Sequence, residues 1–110
     1  MTLNGANVGV DGASARGAET IITPHSPGFL VTSDNVVIDG FTIAGDGIGN
    51  DIGEQVDTAQ NVSVSNNVMT GVDYGVLASA ANDLTVANNK IKGAAINGVR
   101  VSDSNDIEIS

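Results

Sequence analysis

The strongest constraint in this chain is a repeat that returns with a nearly fixed spacing. The stretch Asn61-Val62-Ser63-Val64-Ser65-Asn66-Asn67-Val68-Met69-Thr70-Gly71 comes back as Asp83-Leu84-Thr85-Val86-Ala87-Asn88-Asn89-Lys90-Ile91-Lys92-Gly93, an offset of 22 residues from Val62 to Leu84. Upstream, Asn35-Val36-Val37-Ile38-Asp39-Gly40-Phe41-Thr42-Ile43-Ala44-Gly45 precedes it by 26 residues, and Asp106-Ile107-Glu108-Ile109 opens another copy 23 residues after Leu84. A second segment repeats as well: Tyr74-Gly75-Val76-Leu77-Ala78 matches Asn97-Gly98-Val99-Arg100-Val101. Within each copy apolar residues alternate (Val36 and Ile38, Val62 and Val64, Leu84 and Val86), which is the period of a strand with one buried face. No stretch sustains a 3.6-residue period, so almost no helix is expected. Identical coils stacked on one another satisfy a fixed period better than an antiparallel sandwich does, because like residues then lie on like residues.

The asparagines follow from the need to turn sharply between strands. Gly40, Asn66 and Asn88 hold the place where a coil must enter the left-handed region, which Gly and Asn tolerate best. The next residues, Phe41, Asn67 and Asn89, are then expected to point inward, where stacked amides hydrogen-bond to neighbours and to corner backbone. These asparagines are read as structural. Aromatic residues are scarce (Phe29, Phe41 and Tyr74), which suits a narrow solenoid filled in layers by aliphatic side chains. The expected fold is therefore all-β, a right-handed parallel β-helix of about four to five coils of ~22 residues. One domain covers residues 1–110, with an irregular opening coil or cap over 1–28 and regular coils over 29–110.

The pattern V-x-V-x-N-N-x-(I/M)-x-G followed by G-V-x-(A/V) resembles the right-handed parallel β-helix repeat proteins, the broad group holding pectate-lyase-like and alginate-epimerase-like folds. The resemblance covers residues 29–110, and Leu3-Asn4-Gly5-Ala6-Asn7-Val8-Gly9 with Arg16-Gly17-Ala18-Glu19-Thr20-Ile21-Ile22 looks like the opening coil of such domains. In members that act on uronic-acid polymers it implies a site on the outer face of one sheet. Carboxylates there bind calcium or substrate, and a basic group takes the C5 proton. Positive charge must stabilise the dianion that results. The nearest equivalents here are Asp73, Tyr74, Lys92 and Arg100, with Lys90 beside them, a set that could bind ligand. Alginate epimerases carry Tyr-Gly followed by Asp-Pro-His, whereas Tyr74-Gly75 continues as Val76-Leu77-Ala78, so the catalytic part does not carry over. No catalytic residue is assigned.

Net charge −9 argues against nucleic acid and against anionic membranes, because so acidic a surface repels phosphate. The absence of cysteine removes disulfides and thiolate metal sites. No apolar run approaches the roughly 20 residues of a membrane span, so membrane insertion is not expected. His25 lies between Pro24 and Pro27 in an irregular loop with no second histidine to share a metal. The loop 46–53 contains Gly47-Ile48-Gly49-Asn50-Asp51, close to a calcium-binding nonapeptide, with Asp46, Asn50 and Asp51 as hard oxygen donors. Calcium is the cofactor this admits, against a plain acidic turn. Glu54 aligns with inward Val76 and Val99, and the cost of burying an acid predicts that it swings out.

The readings that follow are a non-catalytic structural, adhesive or carbohydrate-recognition module of a larger exported protein, or a fragment of a polysaccharide lyase or C5-epimerase. The first predicts extracellular or cell-surface placement. The ligand it admits is a polysaccharide, and self-association through exposed solenoid ends is expected because Ile107 and Ile109 fall in an incomplete coil.

Overall fold

The computed structural model describes residues 1–10, 12, 21–22, 28–45, 51–94 and 97–109, and among them no residue is helical. Three parallel sheets wind around one core. The first runs β1 (Thr2–Asn4), β4 (Val37–Asp39), β7 (Gln60–Ser65), β10 (Asn82–Ala87) and β13 (Asn105–Ile109). The second stacks β2 (Ile21–Ile22), β5 (Thr42–Ala44), β8 (Val68–Thr70) and β11 (Lys90–Lys92). The third stacks β3 (Phe29–Val31), β6 (Ile52–Asp57), β9 (Tyr74–Ser79) and β12 (Asn97–Ser102). Each strand pairs with the strand three places on, which is the connectivity of a β-solenoid. Three regular turns (β4–β6, β7–β9 and β10–β12) lie between an opening turn and β13.

The register pairs the residues that the repeat aligns. Ile38 lies on Val64, Val64 on Val86 and Val86 on Ile109, while Val62 lies on Leu84 and Leu84 on Ile107. On the third sheet Tyr74 lies on Asn97 and Val76 on Val99. These columns form the core: Ile38, Ile43, Val64, Met69, Val76 and Leu84 are fully buried. Removing each such side chain from water contributes about 1.5–3 kcal/mol. The second and third sheets approach closely at Gly53 and Gly75. A side chain at Gly53 would collide with the Met69 sulfur, and one at Gly75 with Ile91.

The corner between the first and second sheets turns at Gly40, Asn66 and Asn88, with φ of 86°, 56° and 57°. The residues that follow point inward, as expected. Asn67 Oδ1 accepts the Phe41 N–H at 2.8 Å and its Nδ2 donates to the Ile38 carbonyl at 3.2 Å. One turn on, Asn89 Oδ1 accepts the Asn67 N–H at 2.8 Å and its Nδ2 donates to the Val64 carbonyl at 2.9 Å. Each amide thus clamps the corner of the preceding turn. The opposite corner uses left-handed Thr58, Ala80 and Asp103, then Asn35, Asn61, Asp83 and Asp106. It is tied across turns by Asp34 Oδ1 accepting the Gln60 N–H and by Asn61 Nδ2 donating to Asn35 Oδ1, each at 2.8 Å.

Beyond β1 the chain stays against the first corner, with Gly5 and Asn7 buried there. The Gly5 and Asn7 N–H groups donate to the carbonyls of Asp39 and Gly40, and the Gly9 N–H donates to Asp39 Oδ1 at 2.9 Å. The Gly12 N–H then donates to the Asn88 carbonyl at 2.8 Å, two turns further along the axis. Any side chain at Gly40 would overlap the backbone of Asn7 and Val8, so glycine is required where this strap crosses.

Candidate functional site

The sequence-predicted ligand residues occupy two sheets rather than one spot. Tyr74 opens β9 on the third sheet, half-buried, with Ile52 and Asn97 beside it in register. Asp73 precedes it, and the N–H groups of both residues donate to the Asp51 carbonyl, at 2.7 Å from Asp73 and 3.2 Å from Tyr74. Arg100 is exposed on β12 and pairs with Leu77, three residues along from the Tyr74–Asn97 pair. At about 3.3 Å per residue, roughly 10 Å of strand separates the two positions. Lys92 ends β11 on the second sheet, exposed, with Lys90 at the start of the same strand. The fold therefore groups Asp73 with Tyr74, sets Arg100 further along the same sheet and places Lys92 on another.

Of the residues proposed for calcium, Asp46 and Asn50 lie outside the described residues, as does His25. Asp51 is described and is 2 % exposed, enclosed at the start of β6 rather than held out from a loop. Among the described residues no three His, Cys, Asp or Glu side chains come together as a metal site. Softer donors are few. Met69 is fully buried beside Gly53, Met1 is exposed ahead of β1, and cysteine is absent from the chain.

Glu54 corrects the sequence reading. Its side chain does not swing out: it is 0 % exposed, and neither carboxyl oxygen has a hydrogen-bond partner. It sits in the column Phe29–Glu54–Val76, held by pairing of β6 on both sides. Burial pushes its pKa well above the usual carboxylate range, because desolvation penalises the charged form. The signal that could have found it was the alignment with Val76 and Val99. Strand register overrode the desolvation cost, because moving one residue outward would have shifted every side chain of β6 to the other face.

No curated protein and no solved structure matches the chain significantly. A family profile does match, over residues 3–110, and its description is periplasmic copper-binding protein (NosD). With nearly every position covered and the solenoid repeat in register throughout, the chain belongs to the NosD family.

Proposed function

We propose that this chain is a non-catalytic β-solenoid module of an exported protein, and that its ends stack on a second copy. One observation carries the reading: large exposed apolar side chains gather at the two ends of the winding. Ile21 on β2, Leu30 on β3 and Met1 ahead of β1 are exposed at one end, and Ile109 on β13 is exposed at the other. The inward column Leu3–Ile38–Val64–Val86–Ile109 reaches both terminal strands of the first sheet, so a second copy with its β1 beside β13 continues it in register. Lys90 and Lys92 flank Ile91 on the terminal strand of the second sheet. Charge on an edge strand disfavours pairing, so the second sheet is not what draws the copies together. Such a head-to-tail contact uses two different surfaces and grows rather than closing at a dimer.

The family description brings copper and a periplasmic setting. The setting agrees with an exported module. The donor set of this stretch does not fit copper, which favours imidazole, thiolate and thioether ligands: there is no cysteine, a single histidine, and two methionines of which Met69 is enclosed in the core. No step is assigned to the metal on these residues. A finer reading, sugar recognition along Tyr74 and Arg100, draws on the one tyrosine of the chain lying on the same sheet as an exposed arginine. Light scattering coupled to size-exclusion chromatography tests the main reading. Mass should rise with concentration, and Ile109→Lys should hold the protein at one chain. A monomer at every concentration overturns the stacking. Turnover of alginate or pectate would replace the module reading with the lyase or epimerase one.

A further inference from the structure

We propose that the opening turn parts from the second turn at the β3–β6 seam when the Glu54 carboxyl loses its proton, exposing the apolar cleft at that end of the solenoid. Three features of the fold converge on this seam. Both Glu54 oxygens are sealed from water without a partner, so the ionised form has nothing to replace its hydration. Among the described residues the strand pairing is unequal on the two sides: β6 pairs with β9 from Ile52 to Asp57 but with β3 through Phe29, Leu30 and Val31. One further bond on the β3 side runs from the Gly28 N–H to the Ile52 carbonyl at 2.9 Å. Phe29, which lies directly on Glu54 in register, also lines an open cleft of about 380 Å³ together with Leu3, Val31, Val36 and Ile38. Parting on the β3 side is therefore the shortest way for the carboxylate to reach water, and it breaks the fewest strand pairs.

No described neighbour offsets that charge. β3 carries no titratable residue, and β9 contributes Tyr74, paired with Ile52 at the other end of the strand from Asp57. On β6 itself Asp57 is exposed and accepts a hydrogen bond from the Thr58 hydroxyl, and Asp51 just ahead of the strand is buried and acidic like Glu54. Across the interior, β4, β5, β7 and β8 turn Ile38, Ile43, Val64 and Met69 inward. Asp39 of β4 is engaged at the corner by Gly9 and Asn66. The described basic side chains, Lys90, Lys92 and Arg100, all belong to the fourth winding. Of the charged groups lining the cleft itself, the Met1 ammonium donates to the Asn35 carbonyl and Asp34 accepts the Gln60 N–H. The sign follows from the raised pKa of the folded state. The contribution of Glu54 to stability is complete below the ordinary carboxyl range and falls as pH rises toward the folded-state value.

Hydrogen exchange read by mass spectrometry at pH 5 and pH 8, corrected for the intrinsic rate, tests this on the intact chain. Protection over residues 29–31 and 53–57 should fall at least about tenfold at the higher pH, with residues 76–79 and 84–87 holding theirs. In Glu54→Gln, and in Glu54→Met as an apolar chain of similar length, the fall should be absent, and the melting temperature should exceed that of the parent by a margin that grows with pH. An equal fall in both variants, a loss spread evenly over all turns, or unchanged protection in the parent would each overturn the proposal.

Discussion

Asn67 and Glu54 are both fully buried polar side chains in the same narrow core, yet one is satisfied and the other is not. Asn67 stands at a corner, where the chain reverses and leaves the Phe41 N–H and the Ile38 carbonyl facing inward within its reach. Glu54 stands mid-strand on a sheet, where backbone groups point along the ladder and are already used by β3 and β9. The difference teaches that a solenoid interior accepts polarity at its corners and resists it on its flats. A residue type matters less here than the backbone geometry it meets.

The comparison can be broken most directly at the corner. Asn67→Ala removes the acceptor of the buried Phe41 N–H and one donor to the Ile38 carbonyl and leaves a small cavity. It should cost roughly 2–4 kcal/mol, or a fall of some 10–20 °C in melting temperature, read by calorimetry. An unchanged melting temperature would mean that the amide is incidental. Asn89→Ala is the next test. Asn89 makes the same two bonds but is only half-buried, so water can replace part of what is lost, and the cost should drop to about 1–2 kcal/mol in urea denaturation. If it matched Asn67→Ala, burial would not be what separates the two. Substitution at Glu54 should move stability in the opposite direction at neutral pH, and a destabilised Glu54→Met would sink the contrast between corner and flat. The smallest expected effect is that of copper. Since ligand binding to the native state raises stability by mass action, equimolar copper should leave the melting temperature within about 1 °C, whereas a clear rise would reveal donors that the described residues do not supply.

Much of this fold was legible before any coordinates. The spacing of Val62 and Leu84 gave the register, and Gly40, Asn66 and Asn88 gave the corner, because both are consequences of local backbone geometry repeated at a fixed interval. The inward turn of Asn67 and Asn89 was legible for the same reason. Two features were not. The bond from the Gly12 N–H to the Asn88 carbonyl is one, because it joins distant parts of the sequence that no local pattern encodes. The inward place of Glu54 is the other, because it is set by the pairing of β6 on both sides and runs against the residue's own desolvation cost. For the candidate ligand residues the sequence revealed exposure but not adjacency. Tyr74, Arg100 and Lys92 are near one another in the repeat, yet a turn between sheets carries Lys92 to another face.

The strap along the first corner changes how such a molecule folds and fails. In a plain solenoid each turn touches only its neighbours, so the winding can fray or grow one turn at a time from either end. Here the Gly12 N–H is bound to the Asn88 carbonyl, so Gly12 finds its place only after the fourth winding has formed. Closing that long loop late slows folding, as non-local contacts do, and ties the first corner together across turns. Losing the bonds of the strap would free the first corner at two turns together, while the β3–β6 seam on the third sheet lies away from them and can open on its own.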